Sequence, residues 1–169
     1  MGLCYMSDDS LDVIAWIEKA QEDYYAAGIL AASDNPYVLP SACFHCQQCV
    51  EKIFKAYIIA KEGSCLKKHN LDELLSQCEQ QSSDFGNFIP ACQVLNTYEG
   101  TTRYPSGKRY SRADMERALK DTCEILEFTK SKLKGLGYEI QVIAPTWDKV
   151  TADACEPTFI ADNTSPFIK

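Results

Sequence analysis

The chain has 169 residues, 46% apolar and 24% charged, enough to bury one core without disulfide staples and too apolar for a disordered chain. Its net charge of −7 argues against broad, non-specific coating of nucleic acid. No apolar run reaches the roughly 18 residues that a membrane-spanning helix needs.

The opening residues, MGLCYMSDDSLD, have no basic segment followed by an apolar run, so no secretory signal is expected. The nine cysteines are then expected to be reduced thiols in a cytoplasmic protein. A first helix is predicted from about Ser10 to Ala32. Ser7 to Ser10 offer N-caps, and Val13, Ile17, Ala20, Tyr24, Ala27 and Ala31 recur at steps of three and four. Asp34-Asn35-Pro36 breaks it. A second helix runs from Leu39 to Lys61 and stops at Gly63; a short third opens at Asn70, where Asn70 and Glu73 form a capping-box pattern. Asp84 to Glu99 reads as one weaker helix with Gly86 and Pro90 near its start. The last strong helix starts at Ser111, with Asp114 three residues on, and ends at Gly135 or Gly137. Met115, Leu119, Thr122, Leu126, Thr129 and Leu133 form one face of it, with Lys130 and Glu127 on the others.

The fold expected is all-α: an up-and-down bundle of four to five helices over residues 1–137, then an irregular C-terminal arm, 138–169, packed on or beside it. A short strand at Tyr138 to Ile143 is an option within that arm.

Cys43, Cys46 and Cys49 invite a metal reading, which helix geometry opposes. Their steps of about 300° drift across the face shared with Val50, Ile53 and Tyr57, and adjacent thiolates on one straight helix cannot wrap a tetrahedral ion. They are read as small core hydrophobes, with no metal and no cofactor expected. The other side of the same helix carries His45, Gln48, Lys52 and Lys55 within about 80° of one another. That stripe suits an anion or an acidic partner; a plain solvated face with lysine stems covering neighbours is the alternative. A second basic feature is TTRYPSGKRYSR, from Thr101 to Arg112, with four basic residues and no acid. It reads as a local anion site or as a solvated loop.

FHCQQCVEKIFKAYII, KKHNLDELL (Lys67 to Leu75) and TRYP (Thr102 to Pro105) together resemble the HEPN domain family, in order and spacing, over about Leu11 to Leu133. The resemblance implies a compact helical bundle, usually a homodimer, often acting beside a minimal nucleotidyltransferase in toxin–antitoxin-type systems. Many members cut RNA without metal through an Arg-x4-6-His motif. This chain lacks it: its histidines, His45 and His69, both precede its first arginine, Arg103, and Arg109 stands where a histidine would be sought. Arginine stays protonated and cannot serve as a general base.

Three readings therefore stay open. The first is a nucleotide- or nucleic-acid-associated binding subunit with no catalytic residues of its own, its anion site built from Lys52, Lys55, His69, Arg103, Tyr104, Lys108 and Arg109. The second is a metal-independent RNase using His69 and Arg103. The third is a protein–protein adaptor. A nucleotidyltransferase is the partner protein expected, nucleotide or RNA the ligand, and no membrane is involved.

Overall fold

The computed structural model describes residues 13–65, 67–101, 109–138 and 140, and these form an all-helical bundle. Helix α1 (Val13–Ala31) and helix α2 (Leu39–Glu62) make a hairpin, closed by a 3-10 turn at Pro36–Val38. Asn35 caps that turn by accepting the Tyr37 N–H at 3.0 Å, so the Asp-Asn-Pro break doubles as a helix start. Helix α2 carries Pro40 in its first turn, where a missing N–H costs nothing, and ends at Gly63. Gly63 adopts φ +70° and returns its N–H to the Ile59 carbonyl at 2.8 Å, a left-handed stop that a side chain would resist.

Helix α3 (Leu71–Gln81) is capped by Asn70, whose side chain accepts the N–H groups of Asp72 and Glu73. The segment expected as one weak helix is split. A 3-10 stretch covers Ser83–Phe88, α4 covers Ile89–Asn96, and α5 is a single turn at Tyr98–Thr101. Pro90 explains the division: it lacks an N–H for a continuing helix and is accepted only in the first turn of a new one. Helix α6 (Arg112–Gly135) starts at a full capping box, in which Ser111 Oγ accepts the Asp114 N–H and Asp114 Oδ2 accepts the Ser111 N–H.

Helix α2 is the hub, packing on α1 most extensively, then on α6 and α3. Its buried residues go nearly round its circumference, from Leu39 and Cys43 to Ile58 and Ile59, as expected of a helix enclosed by others. The α1 stripe is buried as read, except that Tyr24 is half-exposed, and every residue of the α6 stripe is buried. At the far end of the core, Phe85 projects from the 3-10 stretch into an aromatic cluster. It meets Tyr57, Phe128 and Phe54 at centroid distances of 4.8, 5.1 and 5.9 Å. Lys130 departs from the expected pattern: it is buried on α6, its ammonium 2.7 Å from Glu127. No helix among the described residues is long and apolar enough to cross a membrane. Of the expected arm, Tyr138 and Ile140 are described: neither is in a strand, and both pack half-buried against the core; residue 139 and those from 141 onward lie outside the described residues.

Cys43, Cys46 and Cys49 are completely buried in the core, and with Cys65, Cys78 and Cys92 they are free thiols. Cys123 is disulfide-bonded, so the expectation of nine reduced cysteines holds for these six and not for it. Burial pushes the Cys46 and Cys49 thiols far above the ordinary range and the Cys92 thiol up to about 12. Thiol-specific reagents should therefore label Cys43, Cys46 and Cys49 only slowly in the native protein and fully in denaturant. Fast native labelling of any of the three would overturn their placement.

Candidate functional site: a polar network on the second helix

The polar side of α2 is positioned by the burial of the rest. With the cysteine face in the core, His45, Gln48, Glu51, Lys52 and Lys55 are carried to the margin between α1 and the loop before α3. Two acids organise them. The first is Asp23 on α1, which accepts His45 Nδ1 at 2.8 Å and also a short hydrogen bond from Lys52 Nζ. The second is Glu51, only 4% exposed, which accepts Lys55 Nζ at 2.7 Å and His69 Nδ1 at 2.8 Å through Oε1. Gln47 and Gln48 each donate to Glu51 Oε2 at 3.3 Å, so both carboxylate oxygens are occupied. Gln48 Nε2 also reaches Gln47 Oε1 at 2.7 Å, and its own Oε1 accepts Lys52 Nζ at 3.4 Å. The two acid centres are thereby bridged.

An ionised carboxylate only accepts, so Nδ1 carries the hydrogen in both imidazoles and Nε2 faces the opposite side of each ring. The His69 side chain is 63% exposed, whereas the carboxylate that holds it is buried. Its backbone is tied too, its carbonyl accepting Gln47 Nε2 at 3.4 Å. The loop histidine is thus an exposed imidazole with a fixed tautomer and a fixed bearing.

The predicted site residues separate into three groups. Lys52 and His69 belong to the network and reach solvent. Lys55 belongs to it but is buried, its ammonium paired with Glu51 and 5.4 Å from the Trp16 ring centroid. Arg109 is exposed ahead of α6 and is not part of the network, and Arg103, Tyr104 and Lys108 lie outside the described residues. Arg112, the last cation of the basic segment, is a structural group. Its guanidinium donates to the carbonyls of Ala31 and Ser33 at 3.1 and 2.8 Å, closing the C-terminus of α1.

Sequence reading did not single out Asp23. Glu51 was legible as the acid four residues before Lys55, but Asp23 is joined to α2 across a helix pair, 22 residues from His45, and no local spacing announces that. A recess of about 460 Å³ lies elsewhere, between α4 and α6, lined by Gln93, Val94, Tyr98, Tyr110 and Arg117 among others. No member of the network lines it.

The members of the network differ in what their removal should cost. Removing Glu51 strands a buried ammonium, so Glu51→Ala should cost about 3–5 kcal/mol. His69→Ala removes only an exposed partner and should cost about 1 kcal/mol or less. Denaturant melts of both variants check this, and equal losses would mean that Glu51 is not the buried anchor. Asp121 on α6 behaves differently: its Oδ2 is shielded without a hydrogen-bond partner, Arg117 Nε stands 3.6 Å away, and burial raises its carboxyl above the usual range. A raised carboxyl favours the protonated form in the fold, so its contribution is present at acid pH and is lost as pH rises through that range. The stability of the natural chain relative to Asp121→Asn should therefore be more favourable at acid than at neutral pH. The opposite trend would show that Arg117 dominates.

The HEPN domain family model matches residues 13–133. The protein MJ1304 of Methanocaldococcus jannaschii, provisionally named a toxin, is 29% identical over 135 residues, which span 70% of this chain and 86% of that one. The crystal structure of TT1696 from Thermus thermophilus superposes with a TM-score of 0.63 at 25% identity, covering 71% of this chain and 97% of its own. That of ST0689, an archaeal HEPN homologue, gives 0.57 at 22% identity, with 72% and 97% covered, a likeness of fold alone.

Proposed function

The chain belongs to the HEPN domain family, and from that premise we propose that it is a binding subunit engaging nucleotide or RNA phosphate where α2 meets the loop before α3. The observation that carries this is His69, an exposed imidazole held through Nδ1 by the buried Glu51. Such a ring has its Nε2 directed outward with little rotational freedom left to lose on binding. Lys67 and Lys68 precede it in the chain, and Lys68 is half-exposed while pairing with Glu73 at 2.5 Å. The similarity to MJ1304 supports a place in a toxin-type system. With it we propose a cytoplasmic homodimer acting beside a nucleotidyltransferase partner, with Arg103, Tyr104, Lys108 and Arg109 supplying further ligand contacts.

The buried state of Lys55 narrows this reading. Its charge is already taken up by Glu51, so it serves the ligand through that acid and not by direct contact. A second reading, a metal-independent RNase using His69 and Arg103, is favoured by the same Glu51–His69 bond, which is how a general base is commonly oriented. The missing Arg-x4-6-His motif weighs against it.

Fluorescence anisotropy with a short single-stranded RNA and with a free nucleotide tests the proposal. Binding should weaken with added salt, and His69→Ala should lower affinity about tenfold, on the order of the 1.4 kcal/mol expected for one charge-assisted contact. Binding unchanged in His69→Ala would place the site elsewhere. RNA turnover that survives chelation and vanishes in that variant would establish the second reading.

A further inference from the structure

The two acid centres on α2 have the same composition. Asp23 holds one lysine, Lys52, and one imidazole, His45; Glu51 holds one lysine, Lys55, and one imidazole, His69. In each centre the carboxylate charge is cancelled by the lysine, so the imidazole alone decides whether the centre is neutral or carries one positive charge. Histidine is the side chain whose charge changes between about pH 5 and 8. A protonated imidazole here is the third charge in a pair that is already balanced, and it lacks a counter-charge of its own. A phosphate at Nε2 would supply one.

We propose, building on the binding site above, that this face takes a phosphodiester strand with proton uptake, one proton at His45 and one at His69. His45 and Glu51 are six residues apart, about 9 Å of helix rise. A ligand that meets both centres therefore carries at least two phosphates along a strand, and a nucleoside monophosphate meets one. The surroundings of both rings fit this balance. His69 faces Glu51 and Lys55 from α2, with the Lys68–Glu73 pair, Lys67 and Asp72 beside it at the start of α3. His45 faces Asp23 from α1 and Lys52 from its own helix, and the neighbouring Lys19–Glu22 pair of α1 is internally balanced. Helix α6 brings Asp121 and the Lys130–Glu127 pair toward the buried side of α2, at Cys46 and Cys49.

The test is the pH dependence of binding at constant ionic strength, with a short single-stranded RNA and adenosine monophosphate as separate probes of the natural chain. Each coupled proton makes affinity rise about tenfold per unit fall in pH on the alkaline side of its titration. RNA affinity should rise as pH falls with a slope approaching two protons, and monophosphate affinity, read above about pH 7 where that probe is a dianion, with a slope of one. His45→Gln and His69→Gln should each remove one proton from the RNA slope, and the double variant should bind weakly and without pH dependence. Calorimetry of the natural chain in two buffers of different ionisation enthalpy counts the protons without any variant. RNA binding with a flat pH profile, no proton uptake, or a double variant that keeps the full slope would overturn this proposal and leave the binding site standing. Absence of RNA binding at every pH would overturn both.

Discussion

The polar corner of this bundle depends on one buried carboxylate. Glu51 lies on a helix that is enclosed nearly all round, where an unpaired charge would cost several kcal/mol. It is tolerated because Lys55, His69, Gln47 and Gln48 all donate to it. That full satisfaction has two outcomes. It fixes the α2 helix relative to the loop beyond Gly63, and it turns a surface histidine into a group with a set orientation. A hydrophobic residue at 51 could fill the same volume, but the loop would then be held to the helix there by the Gln47 bond to the His69 carbonyl, with the imidazole released. Stability and the presentation of His69 are drawn from the same atom set.

The same arrangement explains why a basic stripe can exist on an acidic protein without forming a diffuse positive surface. Lys52 and Lys55 are each matched to an acid within hydrogen-bonding distance, so their charge is local and mostly spent. What remains outward is the imidazole of each centre. The proposed site would discriminate by geometry and protonation state more than by net field, as fits a chain of overall charge −7.

Much of this was legible in the sequence. The α2 and α6 spans follow from their apolar stripes and from the Gly63 and Ser111 boundaries, because burial and capping act within a few residues of chain. The cysteine run resolved correctly into core for the same reason. Less legible were features set by how helices rotate against each other. Asp23 reads as one more acid on a polar face until α1 is docked on α2, and Lys130 reads as solvated until α6 is turned inward. The division of residues 83–101 lay in between: Gly86 and Pro90 were visible, yet whether they kink a helix or end it depends on Phe85 having a core to enter. Sequence spacing showed the stripe as an imidazole, an amide and two ammonium groups; the structure ties them to two acids, Asp23 and Glu51.

The Arg112 fork on the end of α1 has a consequence for the order of assembly. It joins residues 81 and 79 positions apart, and a loop of that length closes at a larger entropic cost than the short connection between α1 and α2. The α1–α2 hairpin is thus the element that nascent chain can form early, while α6 must wait for its own synthesis before it docks. Until then the cysteine-lined face of α2 has no cover on that side, and the Ala31 and Ser33 carbonyls lack their guanidinium partner. Among the described helices α6 is the last in the chain, so its docking is the step that covers the cysteine-lined face and closes the bundle.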